Sequence, residues 1–338
     1  MNDTTGILDE ALQRLHTSGP EHEGWLSNHG PMAVEALVRH GQARSVHRWL
    51  DHYEARLEDM PDLNTPVTAA NWREALGDPR RIADWTAYFE REIAERPWRE
   101  VLAEWWPRLL PGIAAGATHP VIRVGHAVRT LLGGSADAPR LAELAHGLGY
   151  WAARHQPLPE LKALGPTADA ASGLAAVSAV PEQSGGIRAR FAQLTGFPAW
   201  EATVTTDPDT ARDALAELVT AAVHRYGTHG YGEPTMLVHA ATTPNAVLRT
   251  LPAIPRELWP ASLSAAWAAS AAVTAAYGPA APASYAPSGT LTAEDIFERA
   301  AAHGDDHTIK FTDTALDVGD QAALTAALRA AELNEPVF

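Results

Sequence analysis

Residues 118–129 of the chain, Thr-His-Pro-Val-Ile-Arg-Val-Gly-His-Ala-Val-Arg, organise the interpretation of all the others. Pro120 fits the first turn of a helix, where its missing N–H is not needed, and Thr118 or His119 would cap that helix. His119 and His126 are two turns apart on one helical face, about 10 Å along the axis. Both imidazoles could therefore lean toward one ion, at roughly 2 Å from each nitrogen. The alternative is that one histidine caps the helix and the other fills a core position.

The composition of the 338-residue chain sets limits on its class. We expect one helical domain over 1–338, with two lobes, 1–156 and 189–338, joined by a Pro- and Gly-rich connection. Cysteine is absent, which excludes disulfides, thiolate nucleophiles and thiolate metal sites. The net charge of −15, without a basic patch, argues against nucleic acid or anionic membranes as partners. Because neither a secretory segment nor an 18-residue apolar run is present, we expect a cytoplasmic protein without a membrane span.

Helical periodicity dominates the pattern of apolar residues. Helices are predicted near 80–94 and 98–110, and the tryptophans of the second are interpreted as core. Thr292 and Asp295 resemble a capping box, and residues 278–291 are predicted to form a loop. No segment shows sustained period-two alternation. The sequence therefore predicts an all-α, irregular multi-helix globular fold with little or no sheet.

Histidine is unusually frequent, with 15 in the chain. His29 stands in a turn-rich segment before a helix, where capping by Asn28 is the alternative to a ligand role. His239 lies in an apolar run, and taken alone it is interpreted as a buried, hydrogen-bonded histidine. Three or four neutral imidazoles suit Fe, Cu, Ni, Co or Zn. An iron site also favours an anionic oxygen ligand, for which the candidates are Asp305, Asp306 and Asp313.

Lysine is unusually rare, since Lys162 and Lys310 are the only two among 26 basic residues. A lysine buried beside a cation would lose its proton, which arginine cannot do. The free amine of Lys310 could then add carbon dioxide and become a carbamate, a carboxylate on a long arm. In a helix, His307 and Lys310 would share a face at i, i+3. The alternative for Lys310 is an ordinary solvated side chain.

The chain resembles the questin oxidase family, helical oxidative enzymes that act on anthraquinone-type polyketides. The resemblance follows the family's order over most of the chain, and its most specific part is the H-x₃-R-x₂-H-A-V-R pattern of 119–129. The stretches that carry it are Leu-Ser-Asn-His-Gly-Pro-Met at 26–32, Trp-Pro-Arg-Leu-Leu-Pro-Gly at 106–112, residues 119–129, His239 with Thr242, and His-Thr-Ile-Lys at 307–310.

The resemblance implies a non-haem iron site made by four histidines and a carboxylated lysine. At the matching positions of this chain the ligands would be His29, His119, His126, His239 and Lys310. We therefore expect these five side chains to converge on one Fe(II). Pro120 stands where similar chains often carry glycine, and the chain is shorter than fungal members, so its substrate can differ from theirs.

The resulting functional hypothesis is an Fe(II)-dependent oxygenase or oxidase of secondary metabolism. Its partner would be a small phenolic polycyclic substrate, of the anthraquinone or hydroquinone type, with dioxygen as co-substrate. The outcome would be ring cleavage or Baeyer-Villiger-type oxygen insertion. Arg123 would hold a phenolate or carbonyl oxygen of the substrate, the alternative being a structural ion pair, and His307 would support the ligands from beside them.

Other classes stay open at this point. A zinc-type hydrolase could use the same ligands with metal-bound water as nucleophile. A helical binding protein without metal would leave the histidines scattered. NAD(P)H stays open as a reductant, although no glycine-rich dinucleotide fingerprint indicates it. The substrate and the oligomeric state are not fixed by the residues.

Overall fold

The computed structural model describes residues 4–287 and 291–338. Helix accounts for 68% and strand for 5%, in two small sheets, which confirms the predicted all-α class. The chain divides into two compact units, the first made by Met1–Pro157 with Arg249–Pro255, and the second by Leu158–Leu248 with Arg256–Phe338. No helix among the described residues has the length and apolarity to cross a membrane.

Among the described residues, the regular structure of the first unit consists of helices and one short antiparallel strand pair, β1 (Glu21–His22) with β2 (Leu26–Ser27). Helix α7 packs against both α2 and α8, and α8 packs against α5. Its helices are α1 (Thr4–Leu15), α2 (Gly30–Arg39), α3 (Val46–Tyr53), α4 (Trp72–Ala75), α5 (Ile82–Glu95), α6 (Trp98–Leu109), α7 (His119–Gly133) and α8 (Ala138–Arg154).

Large aromatic side chains and one close helix crossing fix the core of the first unit. Trp105 and Trp106 of α6 are fully buried, as predicted, whereas Trp98 is only partly covered. Helices α5 and α8 approach so closely at Gly149 that a Cβ there would lie 2.8 Å from the backbone nitrogen of Thr86. Glycine is therefore required where α5 and α8 cross. This close packing fixes the position of α8, which also packs against α7.

The second unit contains β3 (Lys162–Thr167) and β4 (Gly196–Trp200), which form a short parallel pair. Helix α16 packs against α15 and α17, and α11 against α14 and α17. The helices are α9 (Ala170–Ala175), α10 (Ile187–Phe191), α11 (Pro208–His229), α12 (Pro234–Leu237), α13 (His239–Thr250, beginning in this unit), α14 (Trp259–Tyr277), α15 (Ala293–His303), α16 (Asp306–Val318) and α17 (Gln321–Leu333).

Local sequence signals set the boundaries of the last helices. The capping box predicted at the start of α15 is present, with Thr292 Oγ1 accepting from the Asp295 N–H at 3.1 Å. Asp305 caps α16, its Oδ1 accepting from the Thr308 N–H at 2.7 Å. Helix α16 ends at Gly319, whose φ of +75° favours glycine. Of the predicted loop 278–291, residues 278–287 and 291 are irregular, and 288–290 lie outside the described residues.

Candidate functional site

His29 and His119 come together in the first unit. His29 occupies the N-cap position of α2, and its backbone N–H donates to Tyr53 Oη at 2.6 Å. The two imidazole rings stack with centroids 4.2 Å apart and planes 24° from parallel. Both side chains are buried. Two histidines more than 80 positions apart in the chain thus meet at the starts of two helices.

The chain enters α7 through three consecutive residues in the left-handed region. Gly116 and Ala117 have φ of +54°, and Thr118 has φ of +68°. Of the two caps that the sequence left open, Thr118 occupies the N-cap position, but its side chain makes no capping hydrogen bond. The turn brings the Gly116 carbonyl under His119, whose Nδ1–H donates to it at 2.6 Å. Left-handed residues other than glycine are costly, and they concentrate at functional sites.

His126 has a different set of partners from His119. Its Nδ1 lies 2.7 Å from Glu35 Oε2, and Arg129 donates through Nε to Glu35 Oε1 at 3.0 Å. On the other side of the ring, Arg249 Nη1 donates to His126 Nε2 at 3.4 Å. Burial lowers the pKa of His126 below its usual value, although the Glu35 carboxylate acts in the opposite direction. The lowered pKa favours the neutral imidazole. A neutral imidazole is the form that binds a metal.

Arg123 is engaged within the first unit. Its Nε and Nη2 donate to the two carboxylate oxygens of Glu143 at 2.6 and 2.7 Å, and both side chains are buried. His16 Nε2 adds a third contact to Glu143, at 2.8 Å. Burial alone would raise the pKa of Glu143, but Arg123 and His16 lower it to about 2. This is the structural ion pair that the sequence left open as the alternative to a substrate contact.

The second unit holds His239 and His307 in ring contact. The rings meet edge to face with centroids 5.3 Å apart, and His239 is completely buried. His239 Nδ1–H donates to the carbonyl of Met236 at 2.9 Å. His307 Nδ1 lies 2.8 Å from Asp306 Oδ1. Although burial works against it, the Asp306 charge raises the pKa of His307.

Lys310 lies in the same helix, one turn after Asp306. Its side chain is 1% exposed, and Nζ makes no hydrogen bond to any described residue. The nearest carboxylate oxygen paired with it is Asp306 Oδ1, at 3.9 Å. Burial lowers the pKa of Lys310 to about 8, against the opposing charges of Asp306 and Asp305. The solvated lysine that the sequence kept as an alternative is therefore not what the structure shows.

The three candidate carboxylates differ in their surroundings. Asp305 is held as the cap of α16, and Asp306 contacts His307. Asp305, Asp306 and His307 each offer a ligand atom, and these atoms lie within 4.8 Å of one another, so the cluster could hold a cation. Asp313 is fully buried one turn beyond Lys310.

The imidazole tautomers fit a metal-binding role. A backbone carbonyl can only accept, so His119 and His239 each carry a proton on Nδ1, and in the neutral form of each ring the lone pair is then on Nε2. Arginine can only donate, so the contact from Arg249 likewise places the lone pair of His126 on Nε2. Fixing the tautomer through the second ring nitrogen is the usual arrangement at metal sites. In the second unit, the buried amine of Lys310 makes no hydrogen bond to the described residues, and as a free amine it could bind a metal.

The fold and these residues define a helical protein in which each of the two units holds a pair of buried histidines in ring contact. Residues 26–180 match the family model described as questin oxidase-like, which confirms the resemblance inferred from the sequence. The matched range includes His29, His119 and His126 and ends before His239 and Lys310. A comparison with curated proteins found no match.

Sequence reasoning missed Glu35. It is a buried glutamate in the apolar segment Met-Ala-Val-Glu-Ala-Leu at 32–37, and a charged residue in such a run requires a partner. That signal was available in the sequence. The left-handed turn before α7 carries a single glycine, Gly116, and could not have been predicted from residue type.

Proposed function

We propose that the protein is a non-haem Fe(II)-dependent oxygenase that acts on a phenolic polycyclic substrate with dioxygen. The proposed ligands are His29, His119, His126, His239 and Lys310, the last as a carbamate. The family match supports the oxidative class and the polyketide-type substrate. Iron, the identity of the five ligands and their binding of one shared ion are the finer parts of the proposal.

The observation that carries the proposal is the environment of Lys310. A buried ammonium without a hydrogen-bond acceptor is strongly disfavoured, and the pKa of about 8 leaves a sizeable fraction of free amine near neutrality. A free amine adds carbon dioxide by forming an N–C bond and releasing one proton, which gives a carbamate anion. Of the two lysines, Lys162 in β3 is exposed, so only Lys310 has this chemistry.

The residues of the chain would perform separate tasks. In His119, His126 and His239, Nδ1 is held by a hydrogen bond, so Nε2 would bind iron. The carbamate would supply the anionic oxygen ligand. Four neutral imidazoles and one carbamate would leave a bound ferrous ion at a net charge of about +1. Bound iron would supply the activation of dioxygen. The substrate would lie beside the ion, and burial of the ligands would exclude bulk water from it.

Metal analysis tests the proposal most directly. Protein purified without oxygen and supplied with Fe(II) and bicarbonate should bind about one iron per chain and consume oxygen with a hydroquinone or anthraquinone substrate. Lys310→Ala should lose most of the iron and the oxygen consumption. Lys162→Ala, the same change at the exposed lysine, is the matched control and should retain both.

Three results would overturn the proposal. Full iron content and turnover in Lys310→Ala would exclude the carbamate. Purified protein that holds zinc, rejects iron and is indifferent to oxygen would indicate a hydrolase instead. A melting temperature unchanged by every divalent metal would show that no metal binds, because a ligand specific for the folded state must stabilise it.

A further inference from the structure

Glu35 lies at the centre of a buried charged chain in the first unit. It projects from α2 toward α7, where it contacts both His126 and Arg129. Arg129 donates two hydrogen bonds to this carboxylate, from Nε to Oε1 at 3.0 Å and from Nη2 to Oε2 in a close contact. Oε2 is therefore shared between the guanidinium and the imidazole. This arrangement holds the carboxylate in one orientation relative to the His126 ring.

The hydrogen bonds around His126 define a single tautomer. Arg249 donates to Nε2, which must accept, so the ring proton is on Nδ1. Nδ1–H then donates to Glu35 Oε2 at 2.7 Å. Arg129 Nη2 also lies 3.3 Å from Nδ1, but this longer contact joins two donors and follows from their shared oxygen. The partners on both sides of the ring agree on a neutral imidazole with its lone pair on Nε2.

We propose that Glu35 is a positioning residue, which fixes His126 as the Nδ1–H tautomer and aims its Nε2 lone pair as a donor. Positioning of His126 by Glu35 matters for function only if His126 binds a metal, so this inference rests on the proposed function. The negative charge also strengthens the imidazole as a donor and offsets part of the charge of a bound cation. A metal at Nε2 would take the place of the Arg249 contact.

A purely structural role for Glu35 makes different predictions, and the first unit offers a matched control. Glu21 is also a buried glutamate held by an arginine, with Arg154 Nε donating to its Oε1 at 2.6 Å. Arg154 Nη2 donates to Glu21 Oε2 in a close contact, and the third donor is a ring-bearing side chain, Tyr150, whose Oη donates to Oε1 at 3.1 Å. Glu21 has no contact with a proposed ligand among these bonds. Its removal should therefore cost stability alone.

The tautomer can be measured without metal or substrate. Long-range ¹H–¹⁵N correlation spectra of metal-free, ¹⁵N-histidine-labelled protein distinguish the two forms, and His126→Gln assigns the signals. Wild-type protein and Glu21→Ala should show His126 as Nδ1–H. Glu35→Gln, whose amide oxygen can still accept, should keep that form. Glu35→Ala should populate the Nε2–H form, because Nδ1 then has no acceptor and faces the donor Arg129 Nη2 at 3.3 Å, closer than Arg249 is to Nε2. Finding Nε2–H in wild-type protein, or no change in Glu35→Ala, would overturn the inference.

Metal titration gives the second readout. With Co(II) as the probe, followed by its visible absorption, Glu35→Ala should bind about 10–100-fold more weakly than wild type, and Glu35→Gln should recover part of the loss. Glu21→Ala should bind within about twofold of wild type. Equal losses in Glu21→Ala and Glu35→Ala would reduce Glu35 to a structural residue. If wild type binds no metal, the proposed function fails, and the spectra still decide the tautomer.

Discussion

The imidazoles of His29 and His119 lie face to face, with ring centroids 4.2 Å apart. Each ring stands at the start of a helix, and the two helices pack against each other through the first unit. A second stacked pair, His16 with His146, has nearly the same geometry, with centroids 4.4 Å apart and planes at 27°. Only the first pair is proposed to bind metal, so the second provides a control for stacking itself.

Replacing one ring of the first pair by a phenyl ring separates stacking from ligation. His119→Phe should fold with a melting temperature near that of wild type, because the stack on His29 survives, but should lose metal affinity by at least tenfold. His146→Phe makes the same change in the control pair and should bind metal normally. The measurement is metal titration together with thermal unfolding. Undiminished affinity in His119→Phe would exclude His119 as a ligand.

The buried pair of Arg123 and Glu143 predicts how stability depends on pH. The pKa of Glu143 in the folded protein is about 2, against an ordinary value of 4.5. Since the folded state holds the proton less tightly, the stabilisation is complete above about pH 4.5 and is lost as pH falls toward 2. Glu143→Gln should remove this dependence from urea unfolding curves measured across that range.

The same substitution should be costly at neutral pH. Glu143→Gln leaves a buried guanidinium without its counter-charge, which should cost about 3–5 kcal/mol in the free energy of unfolding. Glu104, which pairs with Arg96 and Arg108 on a partly exposed surface, is the control. Glu104→Gln should cost about 1 kcal/mol or less. Equal losses would show that the interior pair is no stronger than the surface one.

The left-handed turn before α7 predicts that Ala117→Gly stabilises the protein. Relief of the left-handed conformation should gain about 1–2 kcal/mol, and the greater freedom of glycine in the unfolded chain should offset about 0.5–1 kcal/mol. Ala145→Gly, inside α8, should instead destabilise by about 1 kcal/mol. Chemical denaturation measures both. A loss in Ala117→Gly as large as in Ala145→Gly would contradict the turn at this position.

The burial of Lys310 predicts that its replacement by an apolar residue stabilises the protein and abolishes metal binding. Lys310→Met keeps most of the side-chain volume and removes a buried amine that makes no hydrogen bond to the described residues. The metal-free variant should therefore gain about 1–3 kcal/mol at neutral pH, while its iron binding is lost. Unfolding curves and iron content measured on the same preparations provide the check. A destabilised Lys310→Met would mean that the amine is well satisfied in solution.

The sequence predicted the helical class, two helices near their observed bounds at 82–95 and 98–109, and the capping box of α15, because these follow from local periodicity and capping chemistry. It did not predict β3 and β4. Gly165, Pro166 and Pro198 interrupt both strands, and their pairing joins segments about 30 residues apart. Non-local pairing of this kind leaves no periodic signal in a single sequence.

For the candidate site, the sequence proposed a set of histidines from residue type and family pattern, and it kept a solvated Lys310 as the alternative, which the burial of that side chain excludes. The partners of each ring were beyond reach of the sequence. The sequence grouped His119 with His126 by their shared helical face, whereas the structure pairs one with His29 and the other with Glu35. Tertiary packing decides which neighbour faces each side of a helix, and a one-dimensional spacing cannot specify it.

The scarcity of lysine gives the chain a built-in chemical reporter. Of its two lysines, Lys162 is exposed on β3 and Lys310 is sealed inside the second unit. An amine-reactive reagent should therefore modify Lys162 promptly, whereas the modification of Lys310 should be limited by the rate at which the surrounding helices open. Mass spectrometry of the peptide containing Lys310 would then measure the rate of that opening from the modification of a single amine, without any engineered label.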